Sequence, residues 1–455
     1  MRFKGTSVLF LVFVVLAGFV YFTEFRGKEE KAKQEESKKR LFPGDARDIS
    51  EITLEYEGRT VSAVRKGEKT WEITNPAGLD ADSETWEQMA SNFVLIEKDE
   101  TVNAQKADLA PYGLDKPLVK TTAKLKNGSM PSVLFGAENP HKTFNYAKRG
   151  DSDEVFLSAT MWAGNFKKSL TDLRNKKVLD FESDSVDSLR ISAMGKPDIE
   201  LQKSGMDWLI KKPQEVRADN GEVSSFLSSI QFARASAFAE DTADAKASGL
   251  EPPAVQVTLH DKKANVDKVL LFGKSPEKDK YFARDLSRAP IFILGMEIFQ
   301  KTQQPLFNWR DKSIVRLGEG ESSIDEVEIL RGADKLVLKK AGMDWQLSDG
   351  KKTQPGKVSD MIGTLASEQA TQIIDMPPGL GSYGLDKPRL AVTLRKGGKE
   401  VEFVKFGRDN SSPMGVYVKT SSAVVMTAGK KLYDTFDVKA SDLVEAPPSP
   451  AVLTK

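Results

Sequence analysis

Three tryptophans stand at one interval: Trp71, Trp208 and Trp345, where 208 − 71 and 345 − 208 are both 137. Gly205-Met206-Asp207-Trp208 recurs verbatim as Gly342-Met343-Asp344-Trp345, and the first copy keeps Gly67 four places before Trp71. The sextet Tyr112-Gly113-Leu114-Asp115-Lys116-Pro117 returns letter for letter as Tyr383-Gly384-Leu385-Asp386-Lys387-Pro388. A degraded version, Ser248-Gly249-Leu250-Glu251-Pro252-Pro253, lies between them. Phe135-Gly136, Phe272-Gly273 and Phe406-Gly407 follow at nearly the same period. A period this long exceeds that of a solenoid, so each copy must carry its own core, and the chain reads as three tandem copies of one domain.

Within each copy the apolar pattern is mostly of period two. Ile52, Leu54 and Tyr56 alternate with polar residues in the opening strand, whose counterparts are Val186 to Ile191 and Ile324 to Leu330. Trp71 with Ile73, Trp208 with Ile210 and Trp345 with Leu347 face one side of a third strand, which makes the tryptophans core residues. A helix follows. Trp86, Met89, Ala90 and Phe93 sit at helical spacing behind Asp80-Ala81-Asp82-Ser83, and Val223, Phe226, Leu227 and Ile230 behind Asp219. Val358, Met361, Ile362 and Leu365 take the same place after Pro355. After the Gly-Leu-acid-x-Pro box come four short alternating segments separated by turn clusters, and loops that short dictate antiparallel pairing. The expected fold class is therefore α+β and β-rich: an N-terminal transmembrane helix, then three copies of a mainly antiparallel sheet domain with one helix each.

The transmembrane helix rests on the apolar run from about Gly5 to Thr23, whose unbroken centre is Val8 to Phe22. Roughly 19 residues at about 1.5 Å each span roughly 28 Å, close to the hydrocarbon thickness of a bilayer. A signal peptide cut after Val15-Leu16-Ala17 is the alternative, but the run continues past that point. Glu24 to Arg40 is almost wholly Glu, Lys, Gln, Arg, Ala and Ser, a solvated stalk with no apolar face. The expected division is an anchor at 1–23, a stalk at 24–40, repeat domains at 41–172, 173–308 and 309–437, and a disordered tail at 438–455. The joints also match: Leu173-Arg174-Asn175-Lys176-Lys177-Val178-Leu179 resembles Trp309-Arg310-Asp311-Lys312-Ser313-Ile314-Val315.

Chemistry is harder to place. Basic and acidic residues nearly cancel, 67 against 66, so there is no electrostatic footprint for nucleic acid. Cysteine is absent, which removes disulfides, thiolate nucleophiles and cysteine metal sites. Neither of the two histidines, His141 and His260, has a partner at triad or metal spacing. Asp80-x-Asp82-x-Glu84 begins like a calcium loop but lacks its glycine and closing glutamate, and reads as helix capping. Gly397-Gly398 sits in a lysine-rich hairpin and reads as a turn, not a phosphate cradle. No enzyme, cofactor or metal is expected. In the box, Gly, Leu and Pro survive in all three copies and suit a turn, a plug and a strand start. What remains as a candidate partner surface is Tyr112, Asp115 and Lys116 with Tyr383, Asp386 and Lys387.

The single membrane helix, charged stalk, Trp-x-Ile/Leu strands and repeated Tyr-Gly-Leu-Asp-x-Pro boxes together resemble a bacterial envelope family known as domain-of-unknown-function family 4340. The resemblance covers about residues 5 to 437, and the second box departs from it. Members are commonly encoded beside gliding-motility-type ABC transporter components, and the family brings no catalytic or ligand residues. The resemblance implies a single-pass protein of the bacterial inner membrane, held through residues 5–23, with its bulk in the periplasm. The expected function is protein binding as an accessory subunit of an ABC-type transport or cell-envelope system, its partner a permease or auxiliary subunit. The alternative is a periplasmic glycan- or peptide-binding protein or hydrolase that uses a groove between repeats.

Overall fold

The computed structural model describes residues 39–103, 108–239 and 244–444. The expected anchor, the stalk before Lys39 and the tail from residue 445 lie outside the described residues. Among the described residues no helix is long and apolar enough to cross a membrane.

The first copy runs β1 (Ile49–Tyr56), β2 (Arg59–Arg65), β3 (Trp71–Asn75), α1 (Ser83–Leu95) and β4 (Thr101–Asn103). It continues through β5 (Val119–Leu125), β6 (Ser132–Glu138), β7 (Phe144–Arg149), β8 (Val155–Ala159), α2 (Thr160–Phe166) and α3 (Leu170–Leu173). Its eight strands form one antiparallel sheet in the order β3-β2-β1-β5-β6-β7-β8-β4. β5 joins beside β1, so the meander extends the opening hairpins, and the short β4 closes the far edge.

The second copy runs β9 (Val186–Ala193), β10 (Ile199–Ser204), β11 (Asp207–Lys212), β12 (Val216–Arg217), α4 (Asn220–Gln231) and β13 (Ala237–Phe238). Then come β14 (Val255–Asp261), β15 (Val266–Phe272), β16 (Lys280–Asp285), β17 (Phe292–Gly295), α5 (Met296–Thr302) and α6 (Leu306–Trp309). The third has β18 (Glu326–Arg331), β19 (Asp334–Ala341), β20 (Asp344–Leu347), α7 (Lys357–Ser367) and β21 (Gln372–Ile374). It ends with β22 (Leu390–Lys396), β23 (Lys399–Ser411), β24 (Met414–Lys419), β25 (Val425–Ala428) and α8 (Lys430–Phe436). The third sheet, β20-β19-β18-β22-β23-β24-β25-β21, repeats the first strand for strand. By contact the chain falls into two compact units, Met1–Val178 with Ala233–Thr242 and Phe292–Leu294, and the remainder. The run β12-β11-β10-β9-β14-β15-β16 of the second copy lies in the second unit and, apart from the extra β12, follows the order of the first sheet; the pair β17-β13 is grouped with the first unit.

Alternation decides which face is covered. In β1, Ile49, Ile52 and Leu54 are buried while Glu51, Thr53 and Glu55 face the other way, where Lys120 reaches Glu55 at 2.7 Å across the strands. Helix α1 presents Trp86, Met89, Ala90, Phe93 and Val94 to the buried face; each large side chain so buried contributes about 1.5–3 kcal/mol. Its start is the expected cap: the Asp82 carboxylate accepts the Thr85 N–H at 3.1 Å. Asp219 does the same for Glu222 at 3.1 Å, so the acidic stretch at Asp80 is helix-capping geometry. Trp71, Trp208 and Trp345 are all buried.

Two expectations need correction. Each copy holds more than one helix, because α2, α5 and α8 follow the last long strand and cover the same core with Phe166, Ile298 and Phe436. At 7 residues each they are too short to announce themselves by periodicity. The C-terminal boundary also moves outward: Leu443 is fully buried in the third core and the Gln354 N–H donates to its carbonyl at 2.7 Å. Residues 438–444 thus belong to the third domain.

The joints are short β-ties. In the first unit the Asp82 N–H donates to the Leu173 carbonyl at 3.0 Å and the Ala235 N–H to the Lys176 carbonyl at 2.8 Å. In the second unit the Asp219 N–H donates to Trp309 at 2.8 Å and the Ala370 N–H to Lys312 at 2.6 Å. Lys312 Nζ there reaches the Asp219 carboxylate at 2.8 Å and the Asn308 and Arg310 carbonyls at 3.1 Å. Buried Arg310 bonds Asp375 at 2.8 Å. The second and third sheet domains are thereby laced together by the segment that connects them.

Candidate functional site

Each box is a tight turn set against the meander. Ala110–Tyr112 and Leu380–Tyr383 are single 3-10 turns. The next residue is left-handed in every copy, with φ of 65° at Gly113 and 69° at Gly249 and Gly384, a conformation that favours glycine. Leu114, Leu250 and Leu385 are then buried as plugs, and Pro117, Pro253 and Pro388 lead into β5, β14 and β22. The Phe-Gly pairs are the other half of the same device. A Cβ on Gly136, Gly273 or Gly407 would overlap the carbonyl oxygen of Tyr112, Ser248 or Tyr383 respectively, far inside 3.0 Å. Two separate sequence motifs are thus one contact, glycine against the backbone of the box.

The tyrosines are absorbed too. Tyr112 meets Tyr146 edge to face at 5.0 Å, and Tyr383 meets Tyr417 at 5.0 Å. Tyr383, Leu385 and Val425 form a small apolar cluster of their own. In the middle copy, buried Ser248 takes the place of the tyrosine and its carbonyl accepts the Lys274 N–H at 3.0 Å. Asp115, Lys116, Asp386 and Lys387 stand apart. All four are exposed, and among the described residues none makes an ion pair or a side-chain hydrogen bond within the chain. Of the six candidate partner-surface residues, the two tyrosines are packed and the two Asp-Lys pairs face solvent.

His141 lies exposed on a loop, and His260 meets Asp267 at 2.9 Å across a hairpin. Among the described residues no three His, Asp or Glu converge as a metal site would require.

A second feature was not expected from the sequence. The first domain contains an open groove of about 990 Å³ lined by residues 41–45, 48, 93–94, 125–127, 129–132 and 149–151. Phe42 forms one wall, stacked on Phe93 with ring centres 4.8 Å apart and planes 9° from parallel. The Arg149 guanidinium lies 5.1 Å from the Phe42 ring. Arg149 is itself gripped by Asp151 through two bonds of 2.9 Å, which hold the Asp151 carboxyl below its ordinary range. Arg47 likewise holds Asp45 at about 2. Met130, 61% exposed, stands at the rim. The available signal was the joint register, in which the residue five places after Lys39 is Gly44 and the residue five places after Lys176 is Phe181.

Among curated proteins no relative matches this chain. A solved structure of DNA polymerase III subunit beta from Borrelia burgdorferi aligns over 88% of this chain and 96% of that one, at 7% identity. Its TM-score of 0.13 gives the likeness no weight. The family model described as Domain of unknown function (DUF4340) matches residues 71–253 and 208–374. The two matches begin one repeat period apart and together cover more than half of the sequence, so the chain belongs to the DUF4340 family.

Proposed function

We propose that the protein is a membrane-anchored, non-enzymatic binding protein of the bacterial envelope. In this reading its three sheet domains lie in the periplasm and serve as an accessory subunit of an ABC-type transport or cell-envelope system. The observation that carries the binding role is the state of the box charges. The backbone-shaping residues of the motif are spent on the fold, while Asp115-Lys116 and Asp386-Lys387 stand exposed, without an ion pair among the described residues, in two of three copies. A solvated acid-base pair on a packed turn is free to meet a complementary surface, where it would set orientation and rate of association. The apolar run at 8–22 and the envelope family resemblance support the membrane placement.

The test is affinity capture of tagged full-length protein from mild-detergent membranes, beside a variant carrying D115A, K116A, D386A and K387A. Recovery of a membrane protein by the native chain, reduced at least several-fold in the variant, is the expected result. Recovery of none above background refutes the reading. A reporter fused after Lys455 and active only in the cytoplasm would refute the periplasmic placement.

A further inference from the structure

The groove beside Phe42 is lined by a position at which the other two copies carry an apolar side chain. One backbone hydrogen bond fixes the equivalence: the N–H groups of Lys98, Ala235 and Ala370 donate to the carbonyls of Lys39, Lys176 and Lys312. The residue five places after each lysine is Gly44, Phe181 and Leu317. Phe181 is 6% exposed, and Leu317 packs against the third core. At Gly44 nothing stands within 4 Å of where a side chain would begin. The first domain therefore lacks an apolar side chain that its two sisters supply from their own chain.

The walls tell what would fit. The charges around the groove answer one another: Arg149 pairs with Asp151, Arg47 with Asp45, and Lys126 with Asp48 at 3.7 Å. Among the described residues that leaves no unpaired charge in the groove lining to select an ionic ligand. What stands open is Pro43 and the Met130 thioether, beside the half-buried Phe42 ring, surfaces that gain from aromatic and sulfur contacts. A volume near 990 Å³ is at the upper end of pockets that enclose drug-sized ligands, about 300–1,000 Å³, and leaves room for a side chain with its flanking backbone. Residues 23–40 are all that separates the groove from the apolar run ending at Phe22. Fully extended they reach about 60 Å, so the groove stays close to whatever holds that run.

We propose that the first domain is completed in trans: the groove receives an aromatic side chain presented by an uncharged segment of a membrane-protein partner, in the place that Phe181 fills in the second domain. This rests on the protein-binding reading above and gives it a site. Gly44→Phe closes the groove from within, and the open space at Gly44 lets the domain keep its fold.

The experiment uses the full chain in lipid nanodiscs with methionine methyl groups labelled with carbon-13. Met130→Leu identifies the Met130 signal among the 12 methionines. N-acetyl-phenylalanine amide is the probe and N-acetyl-lysine amide the control. A saturable shift of the Met130 signal with the aromatic probe only, weakened at least tenfold in G44F while the other methyl signals stay in place, is expected. No shift, an equal shift with the lysine amide, or a shift unchanged in G44F overturns the proposal. So does a response to decanoate alone, which would make the occupant a lipid chain. Membrane capture with G44F separates the two claims. Loss of the partner that the native chain recovers supports the site. Equal recovery by both overturns it and leaves the binding reading standing, and recovery by neither defeats the binding reading while the Met130 titration still decides the groove.

Discussion

Gly407→Ala is the sharpest test of the contact between the box and the meander. The added Cβ would point at the Tyr383 carbonyl oxygen, deep inside 3.0 Å, and would stand 3.0 Å from Leu385 Cγ. Neither neighbour yields easily: Tyr383 is packed against Tyr417, Leu385 is buried, and the Leu385 N–H is bonded to the Leu380 carbonyl at 3.0 Å. Relief requires the turn to lift off β23 by about 1 Å, which sacrifices dispersion contacts along the whole box. Overpacking of this kind costs about 1–3 kcal/mol, and a backbone obstacle beside a buried side chain points to the upper end. About 3 kcal/mol is roughly a 150-fold rise in local opening. Hydrogen exchange followed by mass spectrometry on peptides covering residues 380–394 reads that opening directly. Gly363→Ala is the control: Gly363 lies exposed within α7, nothing stands within 4 Å of its Cβ, and the change should stabilise by about 0.5–1 kcal/mol through helix propensity. Exchange in 380–394 rising less than about threefold in Gly407→Ala would refute the claim that glycine is needed there for backbone contact. Gly136→Ala and Gly273→Ala must behave alike, since the same carbonyl stands over each.

Tyr383→Ala removes a buried ring packed on Tyr417 and should cost about 3–5 kcal/mol, read by urea unfolding of the third domain. Asp386→Ala and Lys387→Ala, being exposed, should change it by no more than about 0.5 kcal/mol. At the joint, burial pushes the Asp219 carboxyl up, but the Lys312 ammonium and the Glu222 N–H bonded to it hold it below its ordinary value. A carboxyl held low in the folded state contributes stability that is present above its unfolded value, about 3.9, and is lost as pH falls through the lower folded one. Asp219→Asn should therefore weaken the joint by about 1.5–3 kcal/mol at neutral pH and flatten the loss of stability below about pH 4, measured by calorimetry across pH. Phe181→Gly should open a groove in the second domain like that in the first and destabilise it by about 3–5 kcal/mol, with calorimetry as the readout.

Much of the scaffold was legible because it was written three times. The period, the buried tryptophans, the helix starts at Asp82 and Asp219 and the antiparallel meander all came from spacing and alternation, signals that duplication reinforces. The features missed are short or relational. Helices α2, α5 and α8 are each two turns long, and their apolar residues follow a strand without a capping signature. The strands β4, β13 and β21 have two or three residues and owe their existence to pairing with β8, β17 and β25, which no local pattern encodes. The link between the box and the Phe-Gly pair crosses more than twenty residues and depends on backbone approach, so each motif was visible and their contact was not. The groove had a signal that single-residue inspection passes over: glycine where a sister domain has buried phenylalanine.

That last point bears on where function should be sought in a chain of this kind. Three copies of one domain share a sheet order, a turn-and-plug box and a buried tryptophan, so positions common to all three are accounted for by folding. Positions at which one copy departs from a shared structural role are different, because the fold has already demonstrated what it needs there. The middle box gives up Tyr, Asp and Lys for Ser248, Glu251 and Pro252 and still forms the same turn, which frees the Asp-Lys pairs of the other two from any structural duty. The first domain gives up its apolar plug at Gly44 and keeps the same sheet, which leaves a cavity that folding alone would have filled. The repeats thus serve as controls for one another: the two departures fall on the surface, one polar and one apolar, and both are of the kind that a binding partner could complete.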